Sequence, residues 1–259
     1  MTISVFRDEL AQVRTKKKEF LAQIERIVPW KEWLALIQPC YYKGERGNKP
    51  YPLEIMLRLY LLQNLYDLSD GATAAEAIDS RAFSDFYGVD SSNQVSDGDT
   101  MGRFRNLLLK NGLQEKLFAR VVTLLTQRGL ILKKGTIVDS TIIAAPSSTK
   151  NRKKKRDSDA YQVKKGNTWH FGYKAHVGVD RESGLVHTVE ATAANVHDVT
   201  ETSKLLTGDE DEVYGDSGYL GAEKREDAVV ENKFGRKIRY KINLRPSRIK
   251  KLSKEEQAV

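Results

Sequence analysis

Near Gly135 the spacing of apolar residues changes from a repeat of about 3.6 to a repeat of about 2, the difference between a helix face and a strand face. One uniform architecture cannot satisfy both patterns. The chain therefore divides into a helical N-terminal domain, residues 1–131, and a mixed α/β domain, residues 132–259. A length of 259 residues leaves each part enough chain to build its own core.

In the first part, Phe20, Leu21, Ile24, Ile27 and Val28 recur at helical spacing over 16–28, and Leu53, Leu57, Tyr60, Leu61 and Leu65 do so after a start at Pro52. Short helices are expected over 71–78 and 81–87, followed by a polar loop through Ser91, Ser92 and Asn93. Ser96 and Asp99 have the spacing of a capping box for a helix carrying Arg103, Phe104, Arg105, Leu107 and Leu108. A last helix over 113–128 ends at Gly129, a residue suited to the left-handed C-terminal position.

In the second part, the β-branched run over 136–145 predicts a central strand covered on both faces, with Asp139 inside it. The polar stretch 146–168, rich in Lys and Arg, predicts a mobile loop. Phe171, Tyr173, Ala175, Val177 and Val179 alternate with polar residues or glycine, and a partner strand over 185–193 completes a hairpin turning at 180–184. Asn195 or Asp198 can cap a helix reaching Leu206. A short strand over 212–216, a helix over 220–232 and a strand over 237–242 follow. This alternation is compatible with a ribonuclease H-like fold.

The chemistry-bearing candidates are Asp139, in an apolar strand, and Asp216, at the carboxyl end of the short strand, where open α/β sheets place ligands. A buried ionised carboxylate calls for a cationic partner. Two aspartates on neighbouring strands could share a divalent cation with hard oxygen preference, Mg²⁺ or Mn²⁺, and so support phosphoryl transfer. Spacing alone equally allows Asp216 to be a helix cap and Asp139 to pair with a lysine. His170 and His176 share a strand face but lack a local third ligand, which argues against zinc.

Lys and Arg outnumber Asp and Glu 43 to 35, a formal net charge of +8 that favours a polyanionic partner. Lys150, Arg152, Lys153, Lys154, Lys155 and Arg156 directly follow the strand of Asp139, so they are candidates for DNA phosphate contacts; Arg103 and Arg105 are further candidates on the capped helix, where an exposed polar face explains them as well. No apolar run is long enough to cross a bilayer and no secretory leader is evident, which predicts a cytoplasmic, nucleoid-associated protein without a membrane partner. Cys40 is the sole cysteine and is expected to be packed.

Residues 132–148 (LKKGTIVDSTIIAAPSS), 169–176 (WHFGYKAH), 183–187 (SGLVH), 193–198 (AANVHD) and 214–219 (YGDSGY) resemble, in order, the catalytic blocks of DDE transposases in the bacterial insertion sequence five family. Pro50-Tyr51-Pro52-Leu53 and Arg103-Phe104-Arg105 are similar to that family's helical domain. The resemblance spans roughly 49–239. It implies a ribonuclease H-like fold, Asp139 and Asp216 as the first two catalytic acids and metal ligands, Mg²⁺ as cofactor with Mn²⁺ as an alternative, terminal inverted repeats and target DNA as partners, and a homodimer acting on DNA.

The family's third acid lies in a pattern of Tyr, two residues, Arg, three residues, Glu, six residues, Lys. No tyrosine and arginine after Asp216 fit it. Ser253 and Glu256 have capping-box spacing close to Val259. The expectation is a truncated catalytic domain, inactive alone for want of its third Glu, with one sheet face under-covered. The alternatives are a non-catalytic DNA-binding remnant that inhibits the full-length transposase, and an unrelated nuclease with a similar core.

Overall fold

A computed structural model describes residues 13–44, 49–88, 95–152 and 154–245. The polar loop at 91–93, Lys153 and the Ser253–Glu256 capping box lie outside the described residues. The chain forms two compact units, Met1–Val121 and Val122–Val259.

The first unit is helical: α1 (Lys16–Ile27), α2 (Trp30–Ile37), α3 (Leu53–Leu65), α4 (Asp70–Asp79), α5 (Arg81–Tyr87), α6 (Gly98–Lys110) and the start of α7 (Leu113–Gln127). Its core includes Leu21, Ile37, Met56, Leu57, Leu62, Phe83, Met101, Phe104 and Leu108. Helix α2 adds to the elements expected from the sequence, although Trp30, Trp33, Leu34 and Ile37 have helical spacing. Helix α3 is buried on a wider arc than one stripe, because Met56, Leu59 and Leu62 are also enclosed while Tyr60, Leu61 and Leu65 are half-buried. On its remaining face Arg58 is held by Glu25 and Glu54 and stacks on Trp30 at 4.2 Å.

Two local expectations are corrected. The cap of α6 is Asp97, whose carboxylate accepts from Thr100 N at 2.6 Å; a charged acceptor suits the positive end of the helix dipole, and Ser96 turns into the core instead. Cys40 is exposed in a 3₁₀ turn over Gln38–Cys40 rather than packed.

The second unit is built on a six-stranded mixed sheet: β1 (Gly135–Ala144), β2 (Tyr161–Lys165), β3 (Thr168–Asp180), β4 (Val186–Ala193), β5 (Glu212–Gly215) and β6 (Arg239–Ile242). Strand β3 pairs antiparallel with β1 along one edge, and with β2 and then β4 along the other. Strands β5 and β6 continue from β1 in parallel. Strand β2 arises within the segment expected to be loop. The expected helix over 220–232 is replaced by 3₁₀ turns at Ser217–Tyr219 and Ala222–Lys224, with Gly221 left-handed (φ 91°) between them, where a continuing helix would need φ near −60°. The helix expected up to Leu206 is only α8 (Asp198–Glu201), followed by a 3₁₀ turn at Thr202–Leu205.

The two faces of the sheet reverse what alternation predicts. One face packs Val138, Val213, Leu205, Tyr219 and Ile238 into a core, each aliphatic side chain contributing about 1.5–3 kcal/mol by burial. The polar set of β3 lies on this covered face: Lys174, His176 and Asp180 are buried, while Tyr173, Ala175, Val177 and Val179 are half-buried. Partners offset the cost of that burial, since Lys174 donates to Val196 O and Asp198, and Asp180 accepts from Lys133 N, Ser183 N and Ser183 Oγ. The opposite face is open, with Ile137, Ile143 and Val189 38%, 51% and 46% exposed. Strand β1 is therefore central in pairing but covered on one face only.

Candidate functional site

The register of β1 on β5 runs Gly135↔Glu212, Thr136↔Val213, Ile137↔Tyr214, Val138↔Gly215. Asp139 and Asp216 are the next residues along these two strands. Neighbouring strands lie about 4.8 Å apart, and each aspartate follows directly on the last registered pair, Val138↔Gly215, at the carboxyl end of the parallel strand β5. Gly215 permits this approach: a Cβ there would meet Val138, Tyr219 and Ile242 side chains, each at 3.1 Å.

Each carboxylate has one oxygen fixed by the backbone. Asp139 Oδ1 accepts from Ser140 N at 2.7 Å, and Asp216 Oδ1 accepts from Gly218 N at 2.8 Å. Asp216 thus also caps the 3₁₀ turn Ser217–Tyr219. Asp139 is exposed on the open face, so the desolvation expected of an acid in a strand covered on both faces does not arise. Among the described residues neither aspartate has a cationic side chain as an ion-pair partner, which removes the lysine alternative for Asp139.

Near the pair lie residues to which the sequence alone gives no catalytic part. Tyr219 is fully buried, with the Ser140 side chain as the hydrogen-bonding group beside its hydroxyl. Burial raises its pKa above the ordinary phenol value, and the charges of Asp198, Asp139 and Asp216 push the same way. Asp198, at the start of α8, accepts from Lys174 Nζ at 2.9 Å. His176 is buried with Nε2 2.9 Å from Thr192 Oγ1, while Nδ1 is unpartnered and 3.7 Å from Asp198 Oδ1; burial lowers its pKa against the opposing pull of Asp198 and Glu201. The sequence signal for these residues is the block 193–198 together with the tyrosine three residues past Asp216.

The basic candidates separate. Lys150, Arg152, Lys154 and Lys155 are exposed in the β1–β2 connection, which Asn151 folds into a turn through Lys155 O and N. Arg156 donates to Ser147 O at 2.8 Å and lies over Phe171. Arg103 is exposed on α6, whereas Arg105 forks onto both oxygens of Asp70 at 2.5 and 2.9 Å, tying α6 to α4. His170 stays apart from the aspartates, on the part of β3 that pairs with β2 opposite Val163.

Residues 8–107 match the family described as Transposase domain (DUF772), and residues 131–258 match the Transposase DDE domain. The chain belongs to the DDE transposases. This transposase is also similar to a cryo-EM structure of the piggyBac transposase synaptic complex with hairpin DNA, at 12% identity and a TM-score of 0.39, over 89% of its own chain and 51% of the other. It thus spans about half the length of that relative. Enzymes that cleave and join DNA phosphodiesters commonly do so at a divalent cation.

The aspartate pair suits such an ion. It offers hard carboxylate oxygens without a competing cation, and Mg²⁺ is commonly held by one or two carboxylates with its remaining positions filled by water and phosphate. Among the described residues no three His, Cys, Asp or Glu side chains converge as a metal cluster. No helix among them is long and apolar enough to cross a membrane.

Proposed function

We propose that this transposase binds the terminal inverted repeats of an insertion sequence and acts on DNA phosphodiesters at a divalent cation, Mg²⁺ or Mn²⁺, held by Asp139 and Asp216. The observation that supports the reading is the β1–β5 register, whose last pair, Val138↔Gly215, directly precedes two acids 77 positions apart in the chain. Asp139 and Asp216 would hold the cation, which would supply Lewis-acid polarisation of a phosphate and activation of water or a 3′-hydroxyl. The backbone donors at Ser140 and Gly218 hold one oxygen of each carboxylate, which fixes where the other oxygens point.

The exposure of Lys150, Arg152, Lys154 and Lys155, in the connection that follows the strand of Asp139, supports a role in neutralising backbone phosphates, with Lys153 and Arg156 in the same run of sequence. Arg103 is the candidate DNA contact of the helical domain; Arg105 serves first to hold α6 against α4. The sheet order, with β4, β3 and β1 antiparallel and β5 and β6 parallel to β1, supports a ribonuclease H-like reading of residues 132–259, after a DNA-binding domain over 1–131. The ordered motif blocks support the insertion sequence five family, and a homodimer on DNA is the proposed assembly.

The test is Mn²⁺ binding together with end-specific nicking of a supercoiled plasmid carrying the inverted repeats. Saturable Mn²⁺ binding lost in Asp139→Asn and in Asp216→Asn is expected, with slow nicking that requires both acids. Mn²⁺ binding unchanged in both variants overturns the proposal.

A further inference from the structure

Three cations converge on one carboxylate where β1, β5 and β6 begin. Glu212 and Tyr214 pair with Gly135 and Ile137 on one side and with Arg239 and Lys241 on the other, and they stand on the open face, opposite the core residue Val213. Glu212 accepts from Arg239 at 2.6 Å and Lys241 Nζ at 2.9 Å through one oxygen, and from Arg181 at 3.3 Å and the Tyr214 hydroxyl through the other. The Arg181 guanidinium lies over the Tyr214 ring at 4.7 Å, and Lys241 Nζ at 5.4 Å. Gly135 makes room for this stack, since a Cβ there would meet Arg181 Cδ at 3.3 Å and Tyr214 Cε2 at 3.5 Å. Hydrogen bonds from Tyr214 and Lys241 hold the Glu212 pKa down at about 2, so the carboxylate stays charged. It is only 12% exposed, whereas Arg181, Arg239 and Lys241 keep 48%, 69% and 49% of their side chains in water. Even with Glu182 as a loose partner of Arg181 at 3.8 Å, the group keeps a surplus of positive charge. Each guanidinium carries five N–H donors, and Glu212 occupies only some of them.

We propose that Arg181, Arg239 and Lys241, ordered by Glu212 and Tyr214, form a second phosphate-binding surface, separate from the β1–β2 connection, that seats the backbone of DNA on the open face of the sheet. This inference rests on the reading that the chain acts on DNA. Asp139 lies on the same face as Ile137, the partner of Tyr214, and four positions of β1 separate it from Gly135, about 13 Å of strand. Each strand of duplex DNA carries a charge about every 3.4 Å of helix axis, so a backbone lying along β1 reaches both the cations and the acid. Arginine presents a planar fork that matches a phosphate, and holding it beforehand against Glu212 and the tyrosine ring lowers the ordering cost of binding. Contacts of this kind fix where the duplex lies and carry no base preference.

The experiment measures binding of the full chain to a labelled random-sequence duplex by fluorescence anisotropy over a salt series, with thermal melts as the check on folding. Arg239→Gln combined with Lys241→Gln is expected to reduce the slope of log affinity against log salt by about 1–2, one unit or so for each phosphate no longer neutralised. Both side chains are about half exposed or more, so the melting temperature should stay close to that of the wild type. Arg239→Lys combined with Lys241→Arg keeps the charge and is expected to keep the slope. The loss should be equal when Lys150, Arg152, Lys154 and Lys155 are already glutamine, because separate surfaces add. A wild-type slope in the glutamine variant in both backgrounds, or an equal loss in the charge-conserving variant, overturns this inference and leaves the aspartate pair untouched. A wild-type chain without salt-dependent DNA binding overturns the underlying reading itself.

Discussion

Gly178 is a position at which the smallest substitution should harm the α/β unit. It lies on the covered face of β3, and a Cβ there would stand 2.5 Å from Leu205 O and 2.9 Å from His187 Cε1. The nearer of these neighbours is backbone, which cannot rotate away. Gly178→Ala must therefore push the Thr202–Leu205 turn off the sheet or bend β3, an overpacking cost of about 1–3 kcal/mol. With about 2–4 °C lost per kcal/mol for a domain of this order, the α/β transition should fall by about 2–12 °C in differential scanning calorimetry. Gly71→Ala is the internal control. It lies in α4 with nothing within 4 Å of its added methyl, and should stabilise the helical unit by about 0.4–1 kcal/mol. An α/β transition that Gly178→Ala leaves unchanged or raises would refute the close approach of Leu205 to β3.

Replacing Lys150, Arg152, Lys154 and Lys155 together by glutamine should weaken DNA binding evenly across sequences and reduce the slope of log affinity against log salt by about 0.9 for each phosphate no longer neutralised; an unchanged slope in fluorescence anisotropy would remove this run from the interface. Arg105→Ala strands Asp70 with only Gln63 Nε2 at 2.7 Å, and since both side chains are partly solvated the expected cost in urea denaturation is about 1–2 kcal/mol. Burial lowers the pKa of His187 from 6.5 against the pull of Glu210 and Asp180. The unfolded chain then binds the proton first as pH falls, so stability is intact above about 6.5 and declines below it towards the folded value, by at most about 1.4 kcal/mol per pH unit for this group. His187→Gln should flatten that decline in urea midpoints between pH 7.5 and 5.5, and an equally steep decline in the variant would locate the titration elsewhere.

What is legible in the sequence is what local pattern controls. Period alone places β1, the β3–β4 hairpin and most helices of the first unit closely. Period places Asp139 inside β1 and Asp216 at the end of the short strand β5. The orientation of β3 is misleading in sequence because Phe171, Tyr173 and Val177 form the more apolar set, whereas the covered face is decided by what packs on it: the turn at Thr202–Leu205 lies over Gly178 and leaves Lys174 and His176 inside with partners. The cap of α6 differs by one residue from the expected one because Ser96 and Asp97 both have capping side chains, and only the burial of Ser96 in the core separates them. Asp198 reads as a helix cap because its partner, Lys174, is 24 positions away and sequence spacing carries no sign of it. Strand β2 is hidden by its charge, since Lys164 and Lys165 mark an exposed edge rather than a loop.

The proposed chemistry depends on Asp139 and Asp216 holding a cation jointly rather than separately. Mn²⁺ stoichiometry and affinity, measured for the wild type, Asp139→Asn, Asp216→Asn and the double variant, decide between the two. One shared site is predicted, lost on either substitution, with the double variant no worse than the singles. Independent losses that add in the double variant, or full binding after either substitution, would contradict it.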